Sequence, residues 1–203
     1  MVTSQNNSLY FTTKREPLMK TCLIVIDAQE SFRHSVHFSE GGALAYLQVQ
    51  NTLIAGCEEG GIPIVRVCHT DGPAQADNPF AVESGHVLPM RGLRDFTPAA
   101  TFLKRRHSAL VGTGLDVWLT EQGIGRLIIS GIRTEQCCET TTRHASDLGW
   151  SVDYVTDATL TFDMLQPDGS TLAMADIKSR TATVLSGRFA TLCTVDQALA
   201  RAT

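Results

Sequence analysis

The chain contains no apolar run long enough to cross a bilayer. Its opening residues, Met1-Val-Thr-Ser-Gln-Asn-Asn-Ser8, lack the basic-then-apolar order of a secretory signal. Six cysteines are present, Cys22, Cys57, Cys68, Cys137, Cys138 and Cys193, but no CxxC and no paired Cys/His spacing. A zinc site or a disulfide framework is therefore not expected, and the simplest compartment is the reducing cytoplasm. Basic charge is not in excess either. Seventeen Lys and Arg stand against twenty-one Asp and Glu, a net charge of −4, which gives no reason to expect nucleic acid or an acidic membrane as a partner. There is no internal repeat and no linker that would divide the chain.

What remains is an ordinary globular composition, 43% hydrophobic and 19% charged over 203 residues, enough for one domain with a sizeable core. Residues 1–18 read as a partly flexible lead-in and residues 19–203 as a single domain. Within it, strand alternates with helix. Thr21–Asp27 is a nearly unbroken apolar run, as expected of a strand buried on both faces. A helix is expected from Gly42 to Gly60, stopped by Glu58-Glu-Gly-Gly-Ile-Pro63, and a strand over Ile64–Cys68. Residues 69–98, rich in Gly, Pro, Asp and Asn, read as a long irregular segment, and such segments are usually functional. A helix over Leu115–Gln122, a strand over Arg126–Ser130, a helix over Glu135–Leu148 and a strand over Trp150–Thr156 come next. A helix over Ser170–Ser186 and a last strand near Ala190–Val195 complete the series. This alternation implies a three-layer α/β/α sandwich around a mainly parallel sheet.

The most informative stretch is Gly131-Ile-Arg-Thr-Glu-Gln-Cys-Cys-Glu-Thr-Thr-Thr-Arg-His-Ala145. It comes after an apolar strand and opens a helix. Thr134 is a suitable N-cap, and Cys137 falls in the first turn, where unpaired amides and the helix dipole favour an anion. The expectation is a thiol of lowered pKa acting as a nucleophile. Ligands of open parallel sheets bind at the carboxyl ends of the strands. Asp27 ends the first strand there, and Lys104 precedes the Gly112-Thr-Gly-Leu-Asp116 turn. A carboxylate can take the thiol proton, and an ammonium beside both can stabilise the resulting charges. Backbone amides around Arg133, Thr134 and Cys137 can form an oxyanion hole.

In these motifs the chain resembles the isochorismatase-like cysteine hydrolase family. Ile26-Asp27-Ala28-Gln29-Glu30-Ser31-Phe32 is similar to the family's Asp-x-Gln-x-x-Phe opening. Lys104-Arg-Arg-His-Ser108-Ala109, with Gly112, Thr113 and Leu115, is similar to its lysine segment. Gly131-x-x-Thr134-x-x-Cys137, with Thr141 and Arg143, is similar to its nucleophile segment, and Asp157-Ala158 stands downstream. The resemblance covers Thr21 to the C-terminus. It implies Asp27 as acid/base, Lys104 as its cationic partner and Cys137 as nucleophile. It further implies a Rossmann-like fold, a homodimer or higher homo-oligomer, and a non-proline cis peptide near Arg133–Thr134.

The chain departs from the family pattern at Leu110, where an aromatic is frequent, at Cys138, where valine is common, and at His144, where an acid is frequent. Metal-dependent nicotinamidases carry Asp-x-His after the second strand. Cys68-His69-Thr70-Asp71-Gly72 does not match it, so neither a metal nor nicotinamidase activity is expected, and no cofactor is implied. True isochorismatases generally lack the cysteine, so Cys137 favours hydrolysis of a C–N bond in a small molecule. Two alternatives stand beside it: vinyl ether hydrolysis with Asp27 as general acid, and a non-catalytic binding protein on the same scaffold.

Gln29, Phe32, His69 and Leu110 are candidate substrate contacts, although Phe32 could equally be core. His69, His107 and His144 read most simply as polar loop residues. Cys138, about 100° around the helix from Cys137, is expected in the core. Arg91 and Arg94 are weaker candidates to hold a substrate carboxylate. Specificity is expected to lie in Phe32–Ala43 and in the irregular segment 69–98.

Overall fold

A computed structural model describes residues 19–34, 38–75 and 77–202. The expected lead-in, residues 1–18, lies outside them, as do residues 35–37 and 76 of the two expected specificity segments.

The strands are β1 (Thr21–Ile26), β2 (Ile64–His69), β3 (Ala100–Lys104), β4 (Arg126–Ile132), β5 (Ser151–Leu160) and β8 (Thr191–Leu192), which form one sheet in the order β3-β2-β1-β4-β5-β8. Every neighbouring pair in that sheet is parallel. Two short strands, β6 (Met164–Leu165) and β7 (Thr171–Leu172), pair antiparallel outside it. The helices are α1 (Glu40–Glu59), α2 (Leu115–Glu121), α3 (Glu139–Asp147), α4 (Met174–Leu185) and α5 (Val195–Ala202).

Alternation along β1 builds two cores. Leu23 and Val25 point to one face, where Leu53, Ile54 and Cys57 of α1 and Ala198 of α5 join them. Cys22, Ile24 and Ile26 point to the other, with Leu115 and Leu119 of α2, Ala145 of α3 and Leu185 of α4. Helices on both faces of a parallel sheet make the expected three-layer sandwich.

Strand order reverses between β1 and β4: the chain leaves β1 toward β2 and leaves β4 toward β5. Clefts of open α/β sheets form at such a switch point. Ile26, the last residue of β1, is in register with Gly131 of β4. A Cβ on Gly131 would lie 1.9 Å from the Ile26 carbonyl oxygen, and its φ is +127°. Only glycine lets the two strands run so close at their carboxyl ends.

Several elements differ from those the sequence predicts. β3 has no counterpart among them, because an edge strand of five residues with alternating burial carries no long apolar run. The helix expected over Glu135–Leu148 is not one α-helix. It opens with a π-turn over Thr134–Cys138 and becomes α-helical at Glu139. The expected helix over Ser170–Ser186 begins at Met174, since Thr171–Leu172 pair with β6. The final strand is only Thr191–Leu192, and the chain then forms α5, a helix absent from the sequence prediction. The cis peptide lies at Ile132–Arg133, one bond before its expected place.

Candidate active site

Asp27 is the residue at which β1 stops. Its φ of +51° is left-handed, a region that Asp tolerates better than most residues. Its amide donates to the Val67 carbonyl (2.8 Å) while its own carbonyl accepts from Gln29 N (2.7 Å). The chain thus turns sharply and leaves the carboxyl group over the carboxyl end of the sheet.

Lys104 ends β3 and reaches across β2. Its Nζ lies 2.7 Å from Asp27 Oδ2, and neither side chain is exposed. Two opposite charges thus face each other in a buried ion pair. The same ammonium donates to Cys137 Sγ at 3.2 Å and meets His69 Nδ1 at 3.2 Å. The three expected catalytic side chains therefore converge from β1, β3 and the segment after β4.

The electrostatics overturn one expectation. Burial, and then the facing Asp27 carboxylate, push the Cys137 thiol up to about 12, against the pull of Lys104. A position in the first turn does not compensate for burial and a carboxylate at the sulfur, so the Cys137 side chain rests as a thiol. Burial also raises the Asp27 carboxyl to about 6, with Lys104 opposing. Burial alone would lower Lys104, but Asp27 and Cys137 hold it above the ordinary lysine range. Near neutral pH the site holds a carboxylate, an ammonium and a neutral thiol.

Thr134 does not cap through its side chain, and Arg133 occupies the N-cap place without a side-chain bond. The Thr159 hydroxyl donates to the Thr156 carbonyl (2.7 Å), so the Thr134 hydroxyl donates to Thr159 Oγ1 (2.8 Å). Tyr154 Oη donates to the Thr134 carbonyl at 2.9 Å. The amides of Gln136 and Cys138 both donate to the Arg133 carbonyl. The Arg133 guanidinium turns away to Glu135 (3.1 Å) and lies over the Phe162 ring. Ala109 N donates to Thr141 Oγ1 (3.0 Å), which fastens the lysine segment to the nucleophile helix.

The weaker candidates divide. His69 ends β2 beside Lys104. Burial, and then the Lys104 charge, lower it to about 4, so its ring is neutral. Gln29 is fully buried and does not line an entrance. Its Oε1 accepts from His69 N (2.7 Å) and its Nε2 donates to His69 O (2.9 Å) and Ser31 Oγ (2.8 Å), which clamps the end of β1 to the end of β2. Phe32 belongs to the core, edge-on to Phe80 at 5.1 Å. Leu110 is also buried, in the cluster that contains Cys137. Arg94 pairs with Glu58 of α1 (2.7 Å) and the Arg91 amide donates to Glu30 (2.8 Å), both away from the sulfur's partners. His144 meets Ser108 Oγ at 2.9 Å. Cys138 is fully buried as expected, and all six cysteines are free.

One neighbour of the sulfur differs from its sequence prediction as a plain loop residue. His107 Nδ1 stands 3.9 Å from Cys137 Sγ. Its place three residues after Lys104 is the signal that could have found it. A groove of about 760 Å³ is lined by Val117, Gly123, Leu148 and Trp150 at the opposite, amino end of the strands and holds none of these groups. A groove of about 450 Å³ lined by Thr70, Arg105 and Arg106 adjoins the ends of β2 and β3. Among the described residues no helix is long and apolar enough to cross a membrane, and no cluster of three or more His, Cys, Asp or Glu is spaced for a metal ion.

Known proteins share this arrangement of chain. The isochorismatase domain family matches residues 21–188. The isochorismatase family protein YrdC of Bacillus subtilis (strain 168) is 28% identical over 88% of this chain and 94% of its own length. Nicotinamidase 3 of Arabidopsis thaliana is 31% identical over 79% of this chain and 83% of its own. Among solved structures, an isochorismatase from Pseudomonas putida KT2440 superposes with a TM-score of 0.76 at 26% identity, covering 89% of this chain and 91% of that one. A cysteine hydrolase from Pseudomonas syringae pv. phaseolicola 1448A gives a TM-score of 0.80 at 20% identity, covering 93% and 98%, a likeness of fold. The motifs, the convergence of Asp27, Lys104 and Cys137 at the switch point and a family match that spans most of the chain agree: this protein belongs to the isochorismatase family and is a hydrolase.

Proposed function

We propose that the protein hydrolyses a C–N bond of a small amide, ureide or related compound through a thioester on Cys137. One observation carries the reading: the Cys137 sulfur lies 3.2 Å from a buried ammonium that itself lies 2.7 Å from the Asp27 carboxylate. The carboxylate faces a thiol that is protonated at rest, so proton transfer and attack occur together. Asp27 takes the proton as Sγ bonds to the substrate carbon. The amides of Arg133, Thr134 and Cys137 are the donors assigned to the oxyanion. Asp27 then returns the proton to the leaving nitrogen as the C–N bond breaks. Lys104 keeps its charge throughout and holds Asp27 ionised until the thiol proton arrives. The nicotinamidase relative supports amide chemistry. The same reading expects a homodimer or higher homo-oligomer acting on a small molecule in the cytoplasm, and light scattering checks the assembly.

The test is a screen of amides, ureides and carbamoyl compounds by amine or ammonia release, with acid-quenched samples digested for mass analysis. The expected result is a substrate whose acyl group is found on the Cys137 peptide. Turnover with no adduct on that peptide, and full activity in Cys137→Ala, contradicts it.

Burial of Asp27 favours a second reading. A carboxyl raised to about 6 can also donate a proton, as ether cleavage with Asp27 as general acid requires. That reaction has no use for the thiol.

A further inference from the structure

The two sides of the Cys137 sulfur differ. On the inner side stand Asp27 and Lys104, whose side chains have no exposure. On the outer side stand two imidazoles. His69 is committed: its Nδ1 meets Lys104 Nζ at 3.2 Å, its Nε2 lies 3.9 Å from Asp71, and its backbone is clamped by Gln29. His107 is exposed and turns Nδ1 toward the sulfur at 3.9 Å. The two residues after it fix its position. Ser108 is buried and meets His144 of α3 at 2.9 Å. The Ala109 amide donates to Thr141, four residues beyond Cys137, at 3.0 Å. The chain that carries His107 is thus tied to the helix that carries Cys137.

A thioester cycle makes two different demands. Acylation moves a proton from the thiol to the leaving nitrogen, which the buried carboxylate can do internally. Deacylation needs a water molecule from solvent to lose a proton beside the thioester. Asp27 lies behind the sulfur, whereas the solvent side belongs to His107.

We propose that His107 is the general base of deacylation, an inference that rests on the Cys137 thioester. Water gives a proton to the His107 imidazole as its oxygen bonds to the thioester carbon. The C–S bond breaks, and the imidazolium returns that proton to Sγ. A carboxylic acid and a free thiol result, so one water is consumed and no other reactant is needed. Imidazole is the commonest side chain for such a transfer.

The probe is p-nitrophenyl acetate, an activated ester whose phenol release reports acylation. Intact mass reports decay of the acetyl adduct. The native protein, Cys137→Ala and His107→Ala are compared, with and without added imidazole. The expected result for His107→Ala is a first-turnover burst of phenol, then adduct decay slowed by about 100-fold or more with steady-state phenol release falling with it, and recovery of both with imidazole. Adduct decay at the native rate overturns the proposal, as does slow decay that imidazole leaves unchanged. If the native protein gains no adduct that Cys137→Ala lacks, the thioester reading itself fails and carries this inference with it. Normal acylation with unaltered decay sinks the inference alone.

Discussion

Lys104 and Asp27 form an ion pair 2.7 Å apart with both side chains removed from solvent. Such a pair contributes little net stability, but removing one partner strands a buried charge at a cost of about 3–5 kcal/mol. Lys104→Met is therefore expected to be destabilised on that scale, and Asp27→Asn likewise. The double variant should lose clearly less than the sum. Denaturant unfolding of the four proteins checks this, and strict additivity would show that the two charges do not interact.

The pH dependence comes from Asp27. Its carboxyl rises from 3.8 to about 6 in the fold, so the basic form appears only as pH climbs through about 6. For thioester chemistry kcat/KM should rise with pH, be about tenfold lower at pH 5 than on the plateau, and level off above 7. Acid-catalysed ether cleavage requires the reverse, a loss above pH 6. The same shift favours the folded state below about 3.8, and that contribution fades as pH rises through about 6.

His69 titrates in the opposite sense. Its folded value of about 4 lies below the ordinary 6.5, so the stability it contributes is present above 6.5 and is lost as pH falls toward 4. Replacing it with Gln should flatten the acid limb of a stability–pH curve between those values. An unchanged limb would place the acid sensitivity elsewhere.

Gln29 predicts a different kind of loss. Gln29→Leu removes the partners of both the His69 amide and its carbonyl, leaving two backbone groups unsatisfied at about 1–3 kcal/mol each. A fall in thermal midpoint together with reduced turnover is expected, since His69 and Lys104 would shift together. An unaltered midpoint would mean that water replaces the amide at no cost.

Gly131→Ala should be the most damaging small change in the chain. The added Cβ meets the Ile26 carbonyl at 1.9 Å in a left-handed backbone, and a loss of about 4 kcal/mol or more is expected. Expression and circular dichroism would show it, and a well-folded variant of native midpoint would contradict the close β1–β4 approach.

Much of this is legible in the sequence because its signals are local. An unbroken apolar run is how a strand buried on both faces looks, and β1 lies where that run predicts it. The order Asp27, Lys104, Cys137 reflects strand ends in a parallel sheet, whose carboxyl edges share one side. What stays hidden depends on geometry between distant segments. Alternation in Ala100–Lys104 is too short to separate an edge strand from a loop. The sequence predicts a low thiol pKa because the helix start is visible in it. The depth of burial at the sulfur, which with the Asp27 charge outweighs the helix start and Lys104, is visible only in three dimensions. Gln29 and Phe32 sit beside Asp27 in sequence, yet one is a backbone clamp and the other core, because the left-handed turn at Asp27 sends the chain inward.

The most direct test of the thioester account is kcat/KM of Cys137→Ala on a substrate found by the amide and ureide screen, with circular dichroism to show that the variant is folded. The account predicts a loss of about 10⁴-fold or more, the scale seen when a catalytic nucleophile is removed, in a protein of native fold. A folded Cys137→Ala that turns over at the native rate, while Asp27→Asn does not, would contradict it and assign the chemistry to the carboxyl group.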